Sequence, residues 1–184
     1  MLFGAYSPSG RLPASFPRAS GQEPYYYAHK PTGRPNPPGD LQPYKAHFRG
    51  IPNSALYPFG HGLTYGKINY SGFSQSGPSL ATNGTIEVVA TVTNRGRRAA
   101  EEVVQLYTHQ RTASVTRPVR ELKAFRKVAL APGQSEVVRF TLRSADLSFY
   151  GRDGRLKLES GTIDVFIAPS AESDGVHGSF DLTA

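Results

Sequence analysis

The fold is decided by one stretch of the sequence, IEVVATVT at residues 86–93. Every second side chain from Ile86 to Val92 is apolar, and the side chains between them are mostly polar. Successive side chains of a strand point to opposite faces, so a period of two predicts a β-strand with one buried face. The residues that follow, Asn94–Gly96, have the composition of a turn and end the predicted strand.

Similar short runs continue on both sides of this stretch, with turn signals roughly every ten residues. The other predicted strands are Ile68–Phe73, Val104–Thr108, Leu122–Leu130, Val138–Leu142, Leu147–Tyr150, Leu156–Leu158, Ile163–Ile167 and Val176–Leu182. Many short strands without a helical period are typical of two packed antiparallel sheets. We therefore expect an antiparallel β-sandwich from about Lys67 to Ala184. Its predicted interior includes Val88, Val92, Leu106, Phe140, Val165 and Ile167.

Residues 1–66 have a different composition, because they contain 11 of the 15 prolines and show no periodic apolar pattern. Ordering a backbone costs about 1–2 kcal/mol per residue, and this segment has little apolar surface of its own to offset that cost. We expect an irregular N-terminal extension that becomes ordered by packing on the sandwich or on another part of a larger protein.

Composition excludes several classes of function. The chain has no cysteine, so a disulfide framework and a thiolate metal site are excluded. It has no apolar run of the ~18 residues that a membrane span needs, and no membrane partner is predicted. The net charge is +7, but the basic residues are interspersed with acidic ones, so we predict no tight binding to nucleic acid. The N-terminus lacks the pattern of a signal peptide and is typical of a domain interior, which leaves the compartment open, whether periplasmic, secreted or cytoplasmic.

A series of motifs runs along the whole chain in one order. They are Leu2-Phe3-Gly4 with Pro8–Pro13, His29–Pro35, Leu56–Tyr65, Val92–Gly96, Glu102–Tyr107 and Arg120–Phe125. Together they resemble the C-terminal part of family 3 glycoside hydrolases of the β-glucosidase type. The resemblance implies three regions: the end of an α/β catalytic domain at 1–24, a strap at 25–66 and a fibronectin type III-like, immunoglobulin-like sandwich at 67–184.

The same resemblance implies hydrolysis of terminal β-linked sugars by a parent enzyme whose nucleophile and acid/base lie upstream of Met1. The chain is then a fragment that contains no catalytic residue, and its partners are the upstream catalytic domains, with carbohydrate reached only through the parent. Retaining glycosidases need two carboxyl groups about 5–5.5 Å apart. Before residue 67 the acidic residues are Glu23 and Asp40, and most of the others are expected on outward strand positions or in turns. The family pattern has Asp-x-Asn before Pro-Ser-Gly, where this chain has Ala5, Tyr6 and Ser7.

The best candidate for a binding contribution is the loop of His29, Lys30 and Arg34, which combines three hydrogen-bond donors with stiffening prolines. A contact with substrate or with a subunit interface is one hypothesis for this loop. The alternative, which we favour, is an inter-domain strap whose basic groups cap carbonyls or pair with carboxylates. No metal-ligand spacing and no cofactor motif are present. The sequence does not decide whether the chain forms a homodimer. The rival hypotheses for the whole chain are a stand-alone module that binds polysaccharide or protein, and a basic nucleic-acid binder.

Overall fold

The computed structural model describes residues 3–35 and 42–183, so the predictions that concern Met1, Leu2, Asp40 and Ala184 fall outside the described residues. Ten strands form the sandwich region. They are β1 (Ile68–Gln75), β2 (Ser79–Ala81), β3 (Thr85–Asn94), β4 (Ala100–Gln110), β5 (Glu121–Leu130), β6 (Ser135–Arg143), β7 (Phe149–Tyr150), β8 (Leu156–Lys157), β9 (Gly161–Ala168) and β10 (Val176–Thr183).

Two sheets face each other, which confirms the predicted sandwich. The three-stranded sheet has the order β1-β3-β6, and the five-stranded sheet has the order β2-β10-β9-β4-β5. Strands β7 and β8 form a separate hairpin. All pairings are antiparallel except that of β2 with β10, which is parallel. The sequence pattern did not predict β2, because three residues are too few to show an alternation.

The core lies between the sheets and is built by the alternation that the sequence shows. Along β3, Ile86 lies opposite Leu142 of β6, and Val88 lies opposite Phe140. All six side chains predicted to lie inside are buried. Full burial of such a side chain is worth roughly 1.5–3 kcal/mol, so this set dominates the stability of the sandwich.

The turns also follow their sequence signals. The Gln134 N–H donates to the Ala131 carbonyl at 3.0 Å, and Gly133 between them has φ of +77°. A positive φ at the third residue is what a type II turn requires, and glycine adopts it without strain. This turn takes the chain from β5 in the five-stranded sheet to β6 in the three-stranded sheet.

We call residues 3–35 and 42–66 the N-terminal layer. One short 3-10 helix, Ser20–Gln22, is its regular element within the described residues, and an isolated antiparallel bridge joins Phe16 to Tyr57. The Leu12 N–H donates to the His61 carbonyl, and the Gly60 N–H donates to the Leu12 carbonyl. The division into 1–24, 25–66 and 67–184 stays a prediction, although β1 begins close to the expected boundary at Gly66.

The described helices are short. None of them is long and apolar enough to cross a membrane.

Candidate functional site: the junction between the N-terminal layer and the sandwich

A buried ion pair joins the N-terminal layer to the end of the sandwich. Arg11 Nη2 donates to Glu102 Oε2 at 2.5 Å, and the two side chains are 9% and 2% exposed. The Tyr70 hydroxyl of β1 donates to Glu102 Oε1 at 2.8 Å. One carboxylate on β4 therefore binds the N-terminal layer and the opposite sheet at the same time.

Glu102 departs from the expectation that acidic side chains lie outward or in turns. It occupies the same strand phase as Val104 and Leu106, which are core residues. Burial of a carboxylate is costly unless it is paired and hydrogen-bonded, and here both conditions are met. Burial first, and then the Glu102 carboxylate, raise the pKa of Tyr70 well above its usual range, so the Tyr70 hydroxyl keeps the proton that it donates.

The next residue, Glu101, lies on the opposite face of β4 and also binds the N-terminal layer. Its Oε2 accepts hydrogen bonds from the Tyr6 hydroxyl at 3.1 Å and from Ser9 Oγ at 3.0 Å, and it pairs with Lys127 at 2.6 Å. Lys127, then Ser9 and Tyr6, lower the pKa of Glu101. Tyr6, the middle residue of Ala5-Tyr6-Ser7 before Pro-Ser-Gly, thus makes a polar contact with the sandwich.

A second contact lies further along β4. Gln105 Nε2 donates to the Pro169 carbonyl at 2.6 Å and to the Gly60 carbonyl at 3.3 Å, and its Oε1 accepts from the Tyr107 hydroxyl at 2.6 Å. Gly60 has φ of +80°, and a Cβ at this position would collide with the Gln105 amide. The glycine therefore allows the loop to approach the strand closely.

Aromatic rings fill the space beside this contact. Tyr27 stacks on Phe59 with ring centroids 4.2 Å apart, and its edge meets Tyr107 at 6.2 Å. The Phe59 carbonyl accepts from the Ala171 N–H at 3.0 Å. The strap is thereby held to β4 and to the loop after β9.

A third contact uses Glu172 in that loop. Glu172 Oε1 accepts from the Tyr25 hydroxyl at 2.8 Å and from the Ala55 N–H at 3.1 Å. Burial, followed by Glu172, raises the pKa of Tyr25 above its usual range. Two of the three contacts lie on β4 and the third lies in the loop after β9, so the N-terminal layer has a fixed position on the sandwich.

The loop of His29, Lys30 and Arg34 does not form one cluster. The His29 carbonyl accepts from the Val119 N–H at 2.9 Å, which fixes this end of the loop to the β4–β5 connection. The Arg34 carbonyl accepts from the Ala46 N–H at 2.8 Å. The side chains of all three residues are exposed.

Arg34 lines a shallow hollow of about 550 Å³. Its other lining residues are Pro35, Gln42, Pro43, Tyr44 and Lys45. Tyr44 is 86% exposed and offers a ring face beside two cations. This arrangement could bind a hydroxyl-rich ligand, and the described residues that line it include no carboxylate.

The described residues offer no glycosidase machinery. Glu23 is exposed, and Glu101 and Glu102 are neighbours on opposite strand faces that are already paired. Among the described residues, no group of three His, Cys, Asp or Glu side chains could hold a metal ion. The chemistry supported by the junction is structural.

Comparisons with known proteins identify this arrangement. Residues 1–65 match the model of the glycosyl hydrolase family 3 C-terminal domain, and residues 102–171 match that of the fibronectin type III-like domain. The chain belongs to glycosyl hydrolase family 3 and corresponds to its C-terminal portion. Both the predicted resemblance and the fibronectin type III-like fold are confirmed.

The relatives are glycosidases. A periplasmic beta-glucosidase of Salmonella typhimurium is 40% identical over 183 residues, which is 99% of this chain and 24% of the relative. A putative beta-xylosidase of Formosa agariphila is 38% identical over 171 residues, 93% of this chain and 21% of the relative. The beta-glucosidase of Listeria innocua in complex with gluconolactone superimposes with a TM-score of 0.91 at 39% identity, covering 100% of this chain and 25% of that one.

The chain thus spans about a quarter of the length of these relatives. Almost the whole chain is similar to a part of each of these glycosidases. This favours the hypothesis that the chain is part of such an enzyme over the hypothesis of a stand-alone binding module.

Sequence reasoning missed the residues of the junction. Arg11 and Glu102 are 91 positions apart, and nothing local in the sequence links them. One signal was present, since Glu102 interrupts the inward apolar phase of β4, where an unpaired carboxylate would be costly. A charged residue in such a phase predicts a buried partner from elsewhere in the chain.

Proposed function

We propose that this chain serves as the C-terminal, structural part of a β-glucosidase-type enzyme that hydrolyses terminal β-linked sugars. The observation that carries the proposal is the buried contact of Arg11, in the segment that matches the family domain, with Glu102 of the sandwich. A rigid contact of this kind suits a sandwich that supports the catalytic domain. The upstream catalytic domains are the proposed partners.

The reaction requires two carboxyl groups at a fixed separation of about 5–5.5 Å. In the described part of the chain, the buried carboxylate of Glu102 is committed to Arg11 and Tyr70. Glu101 is committed to Lys127, Ser9 and Tyr6. We therefore assign the nucleophile and the acid/base of the proposed enzyme to regions outside this chain.

The basic loop has two proposed roles. His29, whose carbonyl is bound by Val119, and the neighbouring Lys30 are assigned to the interface with the upstream domains. Arg34, beside the exposed ring of Tyr44, is assigned to contact with the sugar substrate. Arginine donors beside an aromatic face suit a sugar, which presents hydroxyl groups and an apolar ring face.

A chimera tests the proposal. This chain replaces the C-terminal quarter of the Listeria innocua β-glucosidase, and both the chimera and the isolated chain are assayed with an aryl β-glucoside. We expect turnover by the chimera and none by the isolated chain. An Arg34→Ala chimera should show a raised KM for an oligosaccharide, whereas a Lys45→Ala chimera provides a control for loss of charge at the same hollow.

Two outcomes contradict the proposal. A folded chimera without turnover would mean that this sandwich does not support a catalytic domain. Turnover by the isolated chain that survives repurification and disappears when Glu23 and Asp40 are both changed to Ala would locate an active site inside the chain.

A further inference from the structure

A second hollow, of about 370 Å³, lies where the strap meets the β4–β5 connection. Three arginines and one histidine line it, and its described lining contains no carboxylate. The lining residues are Pro31, His109, Gln110, Arg111, Thr112, Ala113, Ser114, Val115, Thr116, Arg117 and Arg152. The proposed function does not use this hollow.

Two of the guanidinium groups are held in place by the protein. Arg111 donates through Nε and Nη2 to both oxygens of Asp164, at 2.7–3.1 Å. Arg117 donates through Nη2 to Glu121 at 2.7 Å, and its guanidinium carbon lies 4.2 Å from the centroid of the Phe149 ring. In each case Nη1 has no hydrogen-bond partner among the described residues. Fixed guanidinium groups with a free edge are well suited to bind an oxyanion, because little side-chain entropy is lost on binding.

Arg152, in the turn between β7 and β8, also lines the hollow. Its exposed side chain forms no ion pair with the described residues. His109 is oriented by a 2.7 Å contact between its Nδ1 and the Pro118 carbonyl. The strap closes one wall, since Pro31 lines the hollow two residues after His29 bonds to Val119. The docked strap therefore forms one part of the wall of the hollow.

The hollow has a cationic lining, and the carboxylates near it lie outside that lining. The nearby cations are Arg111, Arg117, Arg152, Lys123 and Lys157, and the nearby carboxylates are Asp164, Asp181, Glu121, Asp153 and Glu159. Glu159 is further occupied by the N–H and hydroxyl of Ser114. The cationic lining, and not an excess of charge in its surroundings, favours an anion in this hollow.

We propose that this hollow is an oxyanion-binding site that takes an anionic group of about the size of a sugar acid. Ligand pockets begin at roughly 300 Å³, so the volume admits one sugar ring with its carboxylate. Two kinds of ligand could supply the anionic group: an acidic sugar such as glucuronate, through its carboxylate, and a free inorganic oxyanion such as phosphate. The proposed site does not depend on whether the whole protein hydrolyses β-glucosides.

The test uses the full 184-residue chain and isothermal titration at low salt with glucuronate, inorganic phosphate and glucose. Arg152→Ala removes an exposed guanidinium and should leave the fold intact. Arg117→Gln removes one of the fixed groups. Arg139→Ala is the control, because this exposed arginine of β6 pairs with Glu87 on the other sheet. A hydrogen bond to a charged group is worth about 1.5–3 kcal/mol, so each lining variant should weaken anion binding roughly tenfold or more.

Binding of glucuronate or phosphate that is weakened by Arg152→Ala and unchanged by Arg139→Ala supports the site, and the anion that binds more tightly identifies the source. Glucose should not bind. The absence of anion binding, or an equal loss in the Arg139→Ala control, overturns the proposal, since the second result shows general charge attraction only. Should Arg117→Gln fail to fold, the comparison of Arg152→Ala with Arg139→Ala decides alone.

Discussion

The buried pair of Arg11 and Glu102 gives the sharpest prediction about stability. Replacing Arg11 with methionine keeps most of the side-chain volume but leaves the Glu102 carboxylate, which is 2% exposed, with Tyr70 as its remaining partner. Breaking a buried ion pair from one side costs about 3–5 kcal/mol. Because small proteins are stable by only about 5–15 kcal/mol, Arg11→Met should remove a large share of the free energy of unfolding.

The loss of stability can be measured in two ways. The first is thermal unfolding: for a chain of this length, each kcal/mol of lost unfolding free energy lowers Tm by about 2–4 °C, so Arg11→Met should lower Tm by roughly 6–20 °C. Urea denaturation followed by tyrosine fluorescence gives the free energy directly, since the chain has 10 tyrosines and no tryptophan. Glu102→Gln alone is also destabilising, because it leaves the Arg11 charge unpaired. Adding Glu102→Gln to Arg11→Met should recover stability, because the uncompensated charge is removed.

A double-mutant cycle isolates the interaction between the two side chains. We expect a coupling energy of about 1.5–3 kcal/mol for Arg11 with Glu102. The matched control is the pair of Arg139 with Glu87, whose side chains are 58% and 44% exposed, and exposed pairs contribute about 0–1 kcal/mol. If both cycles give the same small coupling energy, the ion pair does not hold the N-terminal layer to the sandwich, and the reasoning about the junction is wrong.

Two further predictions concern the loop contacts. Gly60→Ala should lower Tm more than Gly50→Ala, because both positions have φ near +80° but only at Gly60 does an added Cβ meet the Gln105 amide, a clash worth about 1–3 kcal/mol; equal losses in Tm would leave backbone strain as the sole cause. Hydrogen bonds from the Ser114 hydroxyl, and then its N–H, hold the pKa of Glu159 below its usual 4.5, so this carboxylate stabilises the fold above that pH and the contribution disappears as the pH falls through the lowered pKa. Glu159→Gln should therefore flatten the loss of unfolding free energy as the pH falls below the usual 4.5, and an unchanged slope would contradict the assignment.

The sandwich could be predicted from the sequence because its signals are local. The alternation from Ile86 to Val92 and the turn at Gly133 each specify their own conformation within a few residues. Strand β2 could not be predicted, because Ser79–Ala81 carries one buried side chain, Leu80, and its partner is β10, about 100 residues later. Parallel pairing at a sheet edge leaves no periodic signal in so short a strand.

The junction could be predicted only in outline. Composition showed that the first 66 residues need another surface on which to become ordered, and the structure provides the five-stranded sheet as that surface. It could not show which side chains make the contacts, because Arg11, Tyr27 and Tyr25 each meet a partner that lies far away in the sequence. The donors of the candidate loop suggested a binding role, yet its donor side chains are exposed, and the loop contacts the sandwich through the backbone carbonyl of His29.

The fixed position of the N-terminal layer links the proposed structural role to the proposed anion site. A segment without regular structure loses conformational entropy throughout its length when it becomes ordered, and that cost must be offset by contacts with the sandwich. Two of these contacts, at Glu102 and Gln105, lie on β4, and the third, at Glu172, lies in the loop after β9, so together they restrict rotation of the layer as well as its separation from the sandwich. A strap held in this way can position Arg34 for contact with the sugar substrate and Pro31 in the wall of the hollow proposed to bind an oxyanion. Weakening the Arg11 contact should therefore also weaken glucuronate binding, although Arg11 does not line that hollow.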